Sequence, residues 1–288
     1  MIAPPRYAVF GQPITHSLSP RIHAMFAAQF GIALDYRAIE VGREDFTSAL
    51  DAFARDGGRG ANVTLPLKER AFALCARTSE EARRAGSVNT LIRDGDKWRG
   101  DSTDGAGLLR DLHQRHGFEP HGRCCLVLGA GGAARAVAFA LADAGVGELV
   151  IANRTPERAS ALADAIGTAP RMCTCAWDEL ATMRDFDLVV NATAAGHAGN
   201  RLDLPTTLLA PATLCYDLSY GSPAIAFLVW ARATGATRVS DGLGMLIEQA
   251  AESFALWHGQ RPETAPVYAE LRANPDCRSS PDQVRGRL

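Results

Sequence analysis

The sequence predicts an α/β protein. Two observations carry that prediction. Strand-like and helix-like segments alternate from residue 7 onward, and from Cys124 a buried strand, a glycine-rich turn and an apolar helix follow one another without a break. A third observation sets the scale: 288 residues, 47% of them hydrophobic, are enough for one large domain or two of ordinary size around substantial cores.

Taken in order, residues 7–10 read as a short apolar strand closed by Gly11 and Pro13. Past the loop ITHSLSP, residues 20–30 have helical spacing, with Ile22, Met25, Phe26 and Phe30 on one face. Residues 35–41 predict a second strand and 44–55 a helix; 60–65 form a third strand that runs into Pro66, and a helix follows. This alternation argues for α/β architecture. The clearest transition comes near Gly105, where a helix to His116 leads through GFEPHGR into CCLVLGAGGAARAVAFALADAG. ELVIAN supplies the next strand, residues 156–166 a helix and DLVVNAT a strand, while LCYDLSY and TRVSDG continue the series. A long helix begins at about 242 and runs to 258, and NPDCRSSPDQVRGRL, polar and rich in breakers, is expected to be disordered.

Bulk properties exclude several classes of function. Net charge is −2 with no block of like charges, so neither nucleic acid nor a membrane is expected as a partner. The start MIAPPRYAVFGQP has too short an apolar run for a secretory leader, and no stretch reaches the roughly 18 to 20 apolar residues of a spanning helix. Seven cysteines, at 75, 124, 125, 173, 175, 215 and 277, include no CxxC pair. They read as reduced thiols of a cytoplasmic protein, not as a disulfide framework or zinc site.

Gly129, Gly131 and Ala134 match G-x-G-x-x-A straight after a strand. The first glycine permits a tight turn, the second lets backbone approach a pyrophosphate, and the small third residue lets helix and strand pack closely. The turn residues Gly129, Ala130, Gly131, Gly132 and Ala133 are therefore candidates to cradle phosphates at the positive end of the new helix. The second strand ends at Ala152, and Asn153 lies 24 residues after Gly129 (153 − 129). A site for NAD usually places Asp or Glu there. Here stand Asn153, Arg154, Thr155 and, one turn on, Arg158. Two guanidiniums suit a 2′-phosphate, so NADP is the expected cofactor. NRTPER also reads as a helix start, with Thr155 as N-cap and Pro156 at N1; the two readings are compatible.

Outside this segment, polar residues occupy positions that the strand and helix pattern does not require: Ser17, Ser19, Asn62, Thr64, Asn89 and Asp104. Each has a plain alternative, Ser19 as a helix cap, Asn89 and Asp104 as turn residues. Lys68 stands out because the chain has only two lysines, Lys68 and Lys97, against 28 arginines, and lysine can give up its proton where arginine cannot. Lys97, in the turn-like DGDK, needs no such reason. Together these hydroxyls and amides, one ammonium and one carboxylate make a pocket suited to a small polyhydroxylated ring acid. A lysine and a carboxylate in contact can share proton transfer while a nicotinamide moves a hydride. Spacing makes Lys68 and Asp104 candidates and does not bring them together.

The motifs GQPITHSLSPRIH, GANVTLPLKE, GSVNT, GDSTDG, GAGGAAR, NRTPER, NAT and DGLGMLIEQA occur in an order that resembles the shikimate dehydrogenase family, from Phe10 to about Val267. The resemblance implies NADPH-dependent reduction of 3-dehydroshikimate to shikimate on the route to chorismate and the aromatic amino acids. It implies an α/β substrate domain over 1–104 and 245–274, a Rossmann-type NADP domain over 105–244, a cleft between them and a tail over 275–288. Ser17 and Ser19 would bind the substrate carboxylate; Thr64, Asn89, Tyr220 and Gln249 would bind the carboxylate or ring hydroxyls. Lys68 and Asp104 would form the catalytic pair, the protonated lysine polarising the C3 carbonyl and the carboxylate orienting it. Leu218 and Gly242 would lie near the nicotinamide, Asn191 and Thr193 at the nucleotide, and Glu80 matches a position sometimes assigned to the cofactor. Two departures are visible: Ser102 replaces the amide of GDNTDG, and Ala194 and Ala195 replace the serines of NATSSG-like sequences.

His16 and His23 are seven apart with no third ligand at a suggestive distance, so no metal is expected; Met245, Leu246 and Ala250 read as packing. Two other functions compete: a paralogue acting also on quinate with NAD, and a non-catalytic NADP-binding regulator. The Arg154 and Arg158 pair argues against the first, and retention of both Lys68 and Asp104 against the second. Monomer and homodimer both stay open.

Overall fold

The computed structural model describes residues 4–168, 170–200 and 202–273; the tail expected at 275–288 lies outside them. The chain divides into two compact units, one comprising the chain to Gly107 and Ile247–Val267, the other Leu108–Leu246 and the chain from Tyr268.

The first unit contains β1 (Arg6–Gly11), α1 (Ser19–Gln29), β2 (Asp35–Glu40), α2 (Phe46–Arg55), β3 (Gly58–Val63), α3 (Lys68–Leu74), β4 (Arg77–Thr78), α4 (Glu80–Ala85), β5 (Thr90–Asp94) and β6 (Lys97–Asp101). Its strands form one sheet in the order β2-β1-β3-β5-β6-β4. β1 runs parallel to β2 and β3, whereas β5 runs antiparallel to β3 and β6. The β5–β6 hairpin adds to the simple alternation expected from the sequence. Asp94 pairs with Lys97, and Gly95, with φ 61°, takes the first position of the two-residue turn, where a side chain would be strained. One face of the sheet packs Phe10, Val63 and Leu91 with Phe46 and Leu50 of α2 and Leu67. Near Tyr7 and Tyr36, an aromatic cluster gathers His23, Phe26, Phe254 and Trp257.

α5 (Asp104–His116) leads into the second unit, which continues with β7 (Cys124–Leu128), α6 (Gly132–Asp143), β8 (Glu148–Asn153), α7 (Pro156–Ile166), β9 (Arg171–Ala176), β10 (Phe186–Asn191), β11 (Leu209–Asp217), α8 (Ile225–Ala233) and β12 (Arg238–Ser240). α9 (Leu243–His258) and α10 (Ala265–Ala273) complete the described chain. The second sheet is parallel throughout, in the order β12-β11-β10-β7-β8-β9. This is a doubly wound order, which reverses between β7 and β10. Cys125 to Leu128 and Leu188 to Val190 are fully buried, as strands covered by helices on both faces must be. No helix of the described residues is long and apolar enough to cross a membrane.

Candidate active site

In the first unit, the carboxyl end of β3 delivers Thr64, and the chain turns through Leu67, whose side chain is fully buried, into α3. Lys68 is the first residue of that helix, and its carbonyl accepts the amide of Val88 at 3.0 Å. A cation at the positive end of a helix gains nothing from the dipole, so Lys68 depends on a neighbouring anion. That anion is Asp104, itself the first residue of α5 and well placed against its dipole. Lys68 Nζ donates to Asp104 Oδ2, with the two side chains 14% and 6% exposed. The other carboxylate oxygen, Oδ1, accepts Asn89 Nδ2 at 2.8 Å.

Beneath this pair lies a lattice of short neutral side chains. Asn89 Nδ2 also lies 2.9 Å from Thr103 Oγ1 and 3.0 Å from Gln249 Oε1, while Asn89 Oδ1 accepts the Thr103 amide at 2.9 Å and the Thr90 hydroxyl at 3.0 Å. Asn62 Nδ2 donates to Ser253 Oγ at 2.9 Å, and Asn62 Oδ1 accepts from Tyr36 at 2.7 Å. The lattice locks Asp104 from below, because Asn89, which touches it, is itself held by several neighbours. Among the expected site residues, it brings together Lys68, Asp104, Asn89 and Gln249. Ser19 joins through its hydrogen bond to Tyr36. That contact corrects the capping reading: α1 begins at Ser19 itself, and Leu18 occupies the N-cap position without a side-chain bond. Ser17 and Thr64 are half-buried; Ser17 Oγ accepts the Ser19 amide at 3.3 Å, and neither side chain bonds to the Lys68–Asp104 pair among the described residues. Glu80 is exposed in the first turn of α4 and paired with Arg83, whose hydrogen bond holds the carboxyl below its ordinary range. Ser102, at the departure from the amide, is buried with a hydroxyl that has no hydrogen-bond partner among the described residues.

His23 is fully buried and stacked on Tyr36 at 4.3 Å, while His16 is exposed; no group of three or more metal-ligating residues exists among the described residues. Burial pushes the His23 imidazole down to about 3. Asn62 opposes that shift, but its amide is committed to Ser253 and Tyr36, and neither ring nitrogen finds a partner among the described residues.

In the second unit the candidate residues line the carboxyl edge of the parallel sheet. Gly129 follows β7 with φ 110°, and a Cβ there would sit 3.1 Å from the Ala192 carbonyl oxygen. Gly131 is the N-cap of α6, and a Cβ built on it meets nothing within 4 Å. Open space, a helix start without a side-chain cap and a first turn without acids fit a pyrophosphate. Ala130 and Gly132 flank Gly131, with Ala133 next in α6. At the end of β8, Asn153 Nδ2 donates to the Thr155 carbonyl at 2.9 Å, and Arg154 and Arg158 are exposed. Thr155 is N-cap by position only, since its side chain makes no capping bond, so the helix start leaves both arginines uncommitted to it.

Asn191 ends β10 and Asp217 ends β11, directly opposite each other. Asn191 Nδ2 donates to Asp217 Oδ2 at 2.7 Å, and Asn191 Oδ1 accepts the Thr193 hydroxyl at 2.8 Å. Burial pushes the Asp217 carboxyl up to about 7, with Ser219 and Asn191 opposing. Leu218 and Tyr220, both half-buried, follow in the turn. A Cβ on Gly242 would lie 2.2 Å from the Leu218 carbonyl oxygen, so that glycine is required by backbone packing alone. Sequence reasoning missed Thr90, Thr103, Ser253 and Asp217; of these only Ser253, four residues after Gln249 in an apolar helix, carried a periodic signal.

A doubly wound sheet opening on a glycine turn, joined in one chain to a buried ammonium–carboxylate pair, defines a dinucleotide-dependent dehydrogenase. Three family models match the chain: the shikimate dehydrogenase substrate binding domain over 9–91, shikimate / quinate 5-dehydrogenase over 112–202, and the shikimate 5'-dehydrogenase C-terminal domain over 242–272. Shikimate dehydrogenase (NADP(+)) of Xanthomonas campestris pv. campestris is 59% identical over 270 residues, 93% of this chain and 95% of that protein. The chain belongs to the shikimate dehydrogenase family. Among solved structures, an Ael1 enzyme from Pseudomonas putida superposes with a TM-score of 0.84 at 41% identity, covering 92% of this chain and 97% of that one. Shikimate 5-dehydrogenase from Thermus thermophilus, in complex with NADP(H) and shikimate, does so at 0.81 and 37%, covering 93% and 99%.

Proposed function

We propose that this chain catalyses the reversible NADPH-dependent reduction of 3-dehydroshikimate to shikimate, in the cytoplasm, as a step towards chorismate and the aromatic amino acids. The observation that carries the reading is the buried Lys68–Asp104 pair, locked by Asn89. The nicotinamide cofactor, when bound, supplies the hydride. Lys68 donates a hydrogen bond to the C3 carbonyl oxygen and stabilises the charge that develops there, and the proton reaches the new alkoxide through the Lys68–Asp104 pair. Asp104 keeps the ammonium aimed, and Asn89 fixes the Asp104 rotamer. Ser17 and Ser19 take the substrate carboxylate; Thr64, Asn89, Tyr220 and Gln249 take the carboxylate or the ring hydroxyls. The Gly129–Ala133 turn holds the pyrophosphate, and Arg154 and Arg158, with Asn153 and Thr155 beside them, hold the 2′-phosphate. Asn191, Thr193, Leu218 and Gly242 line the nicotinamide end, and Glu80 is assigned to the cofactor by resemblance alone.

The test is purified protein with shikimate or quinate and NADP or NAD, followed by nicotinamide absorbance. Rapid turnover is expected with shikimate and NADP only. Equal rates with NAD would overturn the 2′-phosphate assignment, and preference for quinate would overturn the substrate.

A further inference from the structure

We propose that Asp217 is a positioning residue for the nicotinamide end of the nucleotide site, clamping the turn after β11 to the turn after β10. The inference rests on the reading above that Leu218 and Gly242 face the nicotinamide. Asp217 is the last residue of β11 and 1% exposed. Its two carboxylate oxygens divide their work. Oδ2 accepts Asn191 Nδ2 at 2.7 Å and Oδ1 accepts the Ser219 amide at 2.8 Å. Between these two anchor points lies Leu218, whose amide donates to the Asn191 carbonyl at 2.9 Å. On its other side, Gly242 presses against the Leu218 carbonyl and donates its amide to the Ser219 carbonyl at 2.8 Å. Leu218 is thus held by bonds that begin or end on Asp217, Asn191 and Ser219.

The polarity of the clamp is fixed. Asn191 Oδ1 is spent on the Thr193 amide at 3.1 Å and hydroxyl at 2.8 Å, so only its amide nitrogen faces Asp217. Asp217 must accept from Asn191 on one oxygen and from the Ser219 amide on the other, with the Ser219 hydroxyl bonding as well, and a carboxylate has two acceptor oxygens where an amide has one. An asparagine side chain at this position would set an NH2 against another donor. Burial pushes the carboxyl up to about 7, and the bonds donated by Ser219 and Asn191 hold its ionised form against that cost. The acceptor pair is what the position supplies.

The arrangement predicts its own rescue. When Asn191→Asp is combined with Asp217→Asn, the bond between the two side chains re-forms with donor and acceptor exchanged, and the bonds donated by Thr193 and Ser219 keep their direction. The carboxylate now on β10 accepts from Thr193 and from the new amide on β11, and that amide's oxygen accepts the Ser219 N–H. NADPH binding is measured by nicotinamide fluorescence, alongside binding of 2′,5′-ADP, which lacks the nicotinamide. Loss of hydrogen bonds to a charged group should weaken NADPH by about 10-fold or more in Asp217→Asn and in Asn191→Asp, with 2′,5′-ADP unchanged within about 2-fold. The double variant should bind NADPH within about 3-fold of the wild type. Unchanged NADPH affinity in Asp217→Asn, or parallel loss of both nucleotides, would overturn the inference. If the single variants do not fold, a folded double variant that binds NADPH poorly would do the same. A wild-type protein that binds neither nucleotide would overturn the proposed function itself, and this inference with it.

Discussion

Replacing His23 by Phe should make the first unit more resistant to acid, by an amount fixed by burial. The imidazole is fully buried with no hydrogen-bond partner among the described residues, and burial pushes it from 6.5 down to about 3. The unfolded chain therefore takes up the proton first. Stability is intact above about pH 6.5 and is lost as pH falls from there towards 3. Between about pH 7.5 and about pH 5 the linkage removes about 2 kcal/mol, rising to about 3 kcal/mol at about pH 4. At about pH 5 the figure is set almost wholly by the unfolded chain, because a folded value anywhere below about 4 leaves the native imidazole neutral. Phe keeps a flat ring against Tyr36, and any constant cost of repacking drops out of the pH slope. Other titrating groups, Asp217 among them, are present in both proteins and cancel in the difference. Urea unfolding at a series of pH values measures it, read by tryptophan fluorescence in a background where Trp177 and Trp230 of the second unit are replaced by Phe, so that Trp98 and Trp257 report. Identical pH slopes for wild type and His23→Phe would refute the argument.

Three further outcomes are expected. Lys68→Ala should lower kcat by about 10²-fold or more, the scale of a lost general acid; a raised KM at unchanged kcat would instead assign Lys68 to binding. Arg154→Ala should weaken NADP by about 10-fold and NAD hardly at all, because only the former has the 2′-phosphate to lose; parallel weakening in competition assays would remove the arginine from that role. Gly242→Ala should cost about 1–3 kcal/mol in thermal unfolding, since overpacking is the result when a Cβ falls 2.2 Å from the Leu218 carbonyl oxygen; an undiminished melting temperature would show that the two turns can separate freely.

The parts of the fold most legible in the sequence were those where local chemistry and periodicity agree. The strand, glycine turn and helix around Gly129 form a contiguous signal, and the structure gives each glycine a separate physical reason, a positive φ at Gly129 and open space at Gly131. The strand Arg171–Ala176 was not legible: RMCTCA lies at the edge of the sheet, pairs on one side only and has no apolar run. The β5–β6 hairpin showed only as the turn in DGDK, because Arg93 and Arg99 interrupt its apolar pattern. In the site, Lys68 announced itself by rarity, and its contact with Asp104 depends on α3 and α5 starting side by side, 36 residues apart in sequence. Thr90, Thr103 and Ser253 were hidden because small hydroxyls are common everywhere; what distinguishes them is burial beneath one carboxylate. Asp217 read as part of a strand end, and its partner across the ladder could be known only from the register.

Phe254, Trp257, Gln249 and Ser253 belong to the first unit yet are encoded after nearly all of the second. A ribosome reading this message makes β1 to β6 first and must translate 139 residues, 108 to 246, before the segment that fills their aromatic cluster emerges. The inserted unit, by contrast, has its whole sheet in one continuous stretch. The inserted unit can thus mature while the earlier one waits, and the lattice around Asp104 closes only after that unit has been made.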